Sequence, residues 1–293
     1  MKKSLIEEAA KRLQQLEHGG VAPRDAKSEE PLFEVNGRAA QARAREERAS
    51  AANVRVIDLA RLQAAGFITP NVKDSRLLHD FRIIKRPLIQ NALGKSAVPL
   101  ANGNLVMITS SLPGEGKSFV ALNLAMSMAM EVDCRVLLVD ADVVRPSLPN
   151  LLGIQPAKGL MDVLTTPDLG LAEVLLKTNI PRLDLLLAGT SHPTASEFLA
   201  SAAMNELLQG ISTRYADRIV VFDSPPLLAT TESRALAAHM GQVVMVVEAE
   251  KTTHGILESA LAAVEGCPVV MTLLNKAQQT ETGSYYSYYG YAR

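Results

Sequence analysis

The sequence predicts a three-layer α/β fold, a mostly parallel central sheet flanked by helices, on two observations. From Leu105 onward, short apolar runs alternate with loops and amphipathic segments, a pattern that favours parallel strands covered by helices on both faces. The first of these runs leads into a turn-rich loop and a long helix-like segment, "LVMITSSLPGEGKSFVALNLAMSMA". A chain of 293 residues can bury a full core in one domain and still carry extensions.

Four regions follow in order. Residues 1–50 read as an N-terminal helix and linker. Leu5, Ile6, Ala9, Leu13 and Leu16 give 4–17 a weak helical stripe, and 18–50 mix Gly, Pro, Ala and alternating charge. Residues 51–98 read as a helical arm leading into the core. There "NVRVIDLARLQAAGF" suits a helix ending near Gly66, and Leu77, Leu78, Phe81, Ile84, Leu88 and Leu93 recur at mostly helical spacing. Residues 99–276 read as the main α/β domain, with strands expected at 105–109, 135–139, 183–187, 218–222, 242–247 and 269–274. Helices are expected at 117–130, 195–210, 231–239 and 254–264. Residues 277–293 are a tail that holds five of the six tyrosines.

Composition removes several function classes. Thirty Lys and Arg balance 31 Asp and Glu, so bulk charge supplies no case for nucleic-acid binding or a polybasic membrane anchor. Cys134 and Cys267 are too few for a disulfide framework or a four-ligand metal site, and both read as reduced core residues. His192, His239 and His254 lack ligand spacing, and Met126, Met128 and Met130 read as helix packing against the sheet. No run approaches the roughly 20 apolar residues of a membrane span. The expectation is a cytoplasmic protein with no direct transmembrane span.

The chemistry gathers at the expected C-terminal rim of the sheet. In "SSLPGEGKS", Gly114 and Gly116 allow the backbone to wrap a phosphate chain, Lys117 neutralises charge, and Ser118 can hold Mg²⁺. Pro113, Gly114, Glu115, Gly116, Lys117, Ser118 and Phe119 are therefore the expected nucleotide-binding stretch of a P-loop NTPase. Ser111 stands where the general G-x-x-x-x-G-K-[ST] pattern begins with glycine. The next strand ends in "VLLVDADVVRPSL", whose Asp140 and Asp142 share one side of an extended chain and can address a metal or an attacking hydroxyl. Arg145 is a phosphate-binding candidate. "RIVVFDSPPLLATTES" ends a third strand in Asp223, placed as the metal-side acid, acting directly or through water. After the last strand, Asn275 is an adenine-contact candidate beside Lys276. No acid follows this pair, which favours ATP over a guanine nucleotide.

Together, "SSLPGEGKSFVALNLA", "VLLVDADVVRPSL", "FDSPPLLATTE", "GQVVMVVEAEKTTHG" and the tyrosine-rich end resemble the bacterial tyrosine kinases. Among these, the chain is similar to the autokinases of exosortase and exopolysaccharide systems. The resemblance spans about residues 75–293. It implies ATP- and Mg²⁺-dependent, non-specific protein-tyrosine kinase activity on the enzyme's own tail, at Tyr285, Tyr286, Tyr288, Tyr289 and Tyr291. It also implies a homo-oligomer held at the inner face of the membrane by a polysaccharide co-polymerase or chain-length determinant protein. Lys117, Asp140 and Asp142 match its catalytic positions, and Ser118, Asp140 and Asp223 its metal positions. Asp140 is the preferred group for orienting or deprotonating the tyrosine hydroxyl, with Asp142 able to share the task. Two residues separate Asp142 from Arg145 where the family more often has one. The family's Glu-x-x-Arg-x-x-Arg oligomerisation signature reads His79, Arg82 and Lys85 here, and Glu232 stands where many relatives have aspartate. The competing readings are a positioning ATPase, whose additional lysine would fall at Leu112, and a nucleotide-binding scaffold.

Overall fold

The computed structural model describes residues 54–72, 74–96 and 99–278. The expected helix over 4–17, the linker that follows it and the five tail tyrosines lie outside the described residues. Eight strands form one sheet: β1 (Val54–Arg55), β2 (Leu105–Ser110), β3 (Arg135–Asp140), β4 (Leu176–Thr178), β5 (Leu183–Leu186), β6 (Arg218–Asp223), β7 (Gln242–Glu248) and β8 (Val269–Asn275). Their spatial order is β1-β4-β5-β3-β6-β2-β7-β8. Only the β4–β5 pairing is antiparallel. The six longer strands coincide with the apolar runs of the sequence. β1 and β4, of two and three residues, are too short to leave a periodic signal.

Alternation along the strands feeds two apolar layers. Val106 and Ile108 of β2 face one cluster, together with Leu138, Val221 and Val246. Leu105 and Met107 face the other, with Leu137, Val139, Phe222 and Met245. The first layer is closed by α1 (Leu59–Ala64), α2 (Arg76–Ala92) and α3 (Lys117–Ala129). Helix α3 is buried at every position from Val120 to Ala129, so Met126 and Met128 are packing residues as expected. Short helices α4 (Leu148–Leu152), α5 (Leu160–Thr165) and α6 (Leu171–Val174) follow β3. The second layer is closed chiefly by α7 (Ala195–Leu199), α8 (Ala202–Arg214), α9 (Glu232–Ala237) and α10 (His254–Ala262).

One expectation needs correction. The single helix expected over 195–210 is two, because Ser201 has extended backbone geometry and its hydroxyl accepts the Met204 N–H to start a new helix. The described part of segment 51–98 packs on the sheet. Its first residues pair as a strand with β4, the helix expected to end near Gly66 begins only at Leu59, and Leu78, Phe81 and Leu88 of α2 are buried in the first layer. Gln242 of β7 reinforces the attachment, donating to the Leu88 carbonyl at 3.1 Å and accepting from Asn91 at 2.8 Å. Lys85 also turns inward. Its ammonium lies 2.6 Å from the Ser127 carbonyl and 2.6 Å from the Glu131 carboxylate, against the last turn of α3. His79, Arg82, Ile83 and Arg86 instead line an outward-facing groove.

Candidate active site

Parallel pairing brings the acids together. Asp140 and Asp223 are the last residues of neighbouring strands and stand opposite each other in register, both fully buried. β2 runs on the other side of β6 and delivers the phosphate loop to the same rim. Ser147, from the loop after β3, joins the parts: its hydroxyl lies 2.9 Å from Ser118 Oγ and 3.2 Å from Asp223 Oδ2. Ser147 was silent in the sequence, since a lone serine after a proline carries no spacing signal.

Burial governs the charge state of this pair. Desolvation and the neighbouring Asp223 push Asp140 up to about 8, against the Leu148 N–H that donates to its Oδ2 at 3.1 Å. Asp223 is raised to about 6, again chiefly by burial, with the Ser118 hydroxyl and the Lys117 charge pulling it back. Each acid keeps one buried oxygen, Oδ1, without a hydrogen-bond partner in the protein. Two unpartnered carboxylate oxygens beside a serine hydroxyl are the oxygen-rich donor set that suits a hard divalent cation. Ser118, Asp140 and Asp223 could hold such a cation.

Asp142 is half-buried. Burial raises it, opposed by the Arg145 N–H at 3.0 Å and by the Lys117 charge. The Arg145 side chain is exposed on the same loop. Glu232 begins α9 and bonds the Ser196 hydroxyl of α7. Burial opposes its ionisation, but this bond and those from Thr231 outweigh it and keep the carboxyl below its usual range.

The phosphate loop is held from outside. Gly114 and Gly116 adopt left-handed φ values of 87° and 100°, and Gly116 precedes the first residue of α3. The Glu115 side chain is buried and braces the loop, accepting the Leu112 N–H at 2.7 Å and the Thr252 hydroxyl. Only its backbone remains for a phosphate. Phe119 tilts against Phe67, ring centroids 5.1 Å apart, so its ring packs within the fold. Asn275 reaches the rim, where its amide donates to the Glu115 carbonyl of the phosphate loop at 2.9 Å. Lys276 donates to the Gly114 carbonyl at 2.7 Å and pairs with Glu248 at 3.2 Å. Thr252 and Glu248 were invisible in the sequence, because Glu115 and Lys276, through which they brace the loop, lie far from them along the chain.

Comparison with known proteins agrees with this geometry. The family described as ParA, NUBPL iron-transfer P-loop NTPase, matches residues 102–247. The tyrosine-protein kinase YwqD of Bacillus subtilis is 32% identical over 186 residues, covering 63% of this chain and 77% of YwqD. The tyrosine-protein kinase wzc of Salmonella typhimurium is 34% identical over 67% of this chain, which spans only 27% of wzc. Among solved structures, the kinase domain of Escherichia coli tyrosine kinase ETK superposes with a TM-score of 0.61 at 25% identity, covering 77% of this chain and 84% of that one. The VpsO kinase domain gives a TM-score of 0.58 at 28% identity, over 69% of this chain and 96% of that one. With a P-loop α/β fold, three acids gathered at its rim and a tyrosine kinase matched along most of its own length, the chain belongs to the bacterial tyrosine-kinase family.

Proposed function

We propose that this chain is an ATP-dependent protein-tyrosine kinase. It transfers the γ-phosphoryl group of Mg-ATP to tyrosines of its own C-terminal segment and so regulates exopolysaccharide synthesis or export. The observation that carries the reading is the pair of unpartnered oxygens on Asp140 and Asp223 beside Ser118, at the foot of a phosphate loop, in a member of this family. Backbone N–H groups of the loop and the Lys117 ammonium would bind the phosphate oxygens. Ser118, Asp223 and Asp140 would hold the magnesium ion, which supplies positive charge to those oxygens when bound. Arg145, on its exposed loop, would meet a phosphate from the solvent side.

Exposure separates the two candidate bases. Asp140 is wholly enclosed and its Oδ2 already accepts the Leu148 N–H, whereas Asp142 is partly exposed. Asp142 is therefore the better placed to accept the tyrosine hydroxyl proton as that oxygen attacks phosphorus. This reverses the preference drawn from sequence.

The finer assignments belong to the same reading: ATP as the nucleotide, kinship with exosortase-associated autokinases, a homo-oligomer, and a place at the inner membrane face through a chain-length determinant partner. Among the described residues no helix is long and apolar enough to cross a membrane. The test is to incubate purified full chain with ATP and Mg²⁺ and locate phosphate by peptide analysis. Phosphotyrosine in the segment holding Tyr285 to Tyr291 is expected. ATP turnover with no phosphotyrosine would replace the kinase with a nucleotide-driven positioning protein.

A further inference from the structure

Within the phosphate loop the Glu115 carboxylate holds the Leu112 N–H, but the two left-handed glycines leave the peptide planes between them several accessible orientations. What fixes them comes from the far end of the sheet. Asn275 closes β8 and Lys276 follows it, some 160 residues from the loop they touch. Lys276 has a left-handed backbone, φ 58°, a conformation that a non-glycine residue holds only when its surroundings impose it.

The contacts have a directional consequence. A trans peptide is planar, so the C=O of one residue and the N–H of the next point in opposite directions. No cis peptide bond occurs among the described residues. The Lys276 ammonium holds the Gly114 carbonyl on the β8 side at 2.7 Å, which turns the Glu115 N–H away from β8. The Asn275 amide holds the Glu115 carbonyl at 2.9 Å, which turns the Gly116 N–H away likewise. Two successive N–H groups are thereby presented together, the arrangement that cradles an anion. Glu248 fixes the Lys276 ammonium at 3.2 Å, and Thr252, from the same loop, bonds the Glu115 carboxylate. Gly116 is also shape-matched to this bracket, since a Cβ there would lie 2.1 Å from Asn275 Nδ2.

We infer that Lys276 and Asn275 are positioning residues for nucleotide binding: from the end of β8 they set the Glu115 and Gly116 N–H groups toward the phosphates, with Glu248 anchoring Lys276. The inference rests on the nucleotide reading above. It assigns Asn275 to the phosphates through the loop, and it gives Lys276 and Glu248 a part in a site that neither touches directly.

The experiment uses the full chain and two probes, ATP and inorganic tripolyphosphate, each with Mg²⁺, measured by calorimetry. Lys276→Met keeps the aliphatic stem and removes the donors; Lys276→Arg keeps a donor that can still bridge Gly114 and Glu248. Lys276→Met and Asn275→Ala are each expected to weaken both probes about tenfold, the scale of one lost charge-assisted or buried hydrogen bond. Lys276→Arg should recover most of the loss, Glu248→Gln should reproduce part of it, and thermal unfolding of the nucleotide-free variants should stay near wild type. Wild-type affinity in Lys276→Met overturns the inference and leaves the nucleotide site standing. A loss in Asn275→Ala confined to ATP and absent with tripolyphosphate also overturns it, because that is the signature of a base contact. A wild-type chain that binds neither probe removes the nucleotide reading itself.

Discussion

At the residue scale the acids differ by burial, and the difference can be measured. The folded chain keeps the Asp140 proton up to about pH 8, whereas the ordinary carboxylate value is 3.8, so between these values the folded state binds more protons than the unfolded. Stability of the metal-free protein must therefore fall as pH rises through that window. Asp140→Asn removes the titration, and its melting temperature without Mg²⁺ should exceed wild type at pH 8 and approach it near pH 4. Equal melting curves at pH 8 would mean that the carboxylate is solvated after all. Catalysis separates the same residues differently. Asp142→Asn should lower autophosphorylation roughly 10²-fold with nucleotide affinity retained, as loss of a general base does. Asp140→Asn should lose Mg²⁺-dependent binding first, and the reverse pattern would return the base to Asp140. Lys117→Met should abolish measurable turnover, since it deletes the phosphate-facing cation. Each of these residues was legible because an acid at the end of an apolar run, or a lysine after Gly-x-Gly, has a sequence signature. Ser147 and Glu248 have none, since their significance arises only when three strands meet.

At the element scale, packing sets the magnitudes. Leu88 of α2 is fully buried in the layer beneath the P-loop helix, and Leu88→Ala should cost about 2 to 5 kcal/mol in denaturant unfolding. A cost well below that range would mark α2 as packing only loosely on the sheet. Gly116→Ala combines a strained φ of 100° with a Cβ against Asn275, so nucleotide affinity should collapse with little change in the cooperativity of unfolding. The long strands were readable from runs of Val, Ile and Leu, because central parallel strands are apolar on both faces. The joint at Ala200 and Ser201 was not, since apolar spacing continues across it and only the capping geometry reveals the break. The attachment of α2 was hidden for a related reason: periodicity shows that a helix has an apolar face, not which layer receives it.

At the scale of the whole molecule, the sheet was predictable as a class and its strand order was not, because order depends on crossovers that leave no local pattern. The tail makes the functional prediction here. Replacing Tyr285, Tyr286, Tyr288, Tyr289 and Tyr291 by Phe should remove most autophosphorylation, and undiminished labelling would move the acceptor elsewhere. Mixing inactive Lys117→Met chain that keeps these tyrosines with active chain that lacks them reads transfer between molecules directly. The anchoring of Lys276 to Gly114 bears on how that experiment ends. Tyr285 follows Lys276 by nine residues, a contour of at most about 30 Å. A chain this short between Lys276 and the tyrosines would raise their local concentration at the phosphate site into the millimolar range wherever the span can be bridged. Where it can, labelling rate per molecule will not change as the protein is diluted. Where the short leash cannot turn back into its own mouth, the same tether holds the hydroxyls out toward a neighbour, and the rate will fall with dilution.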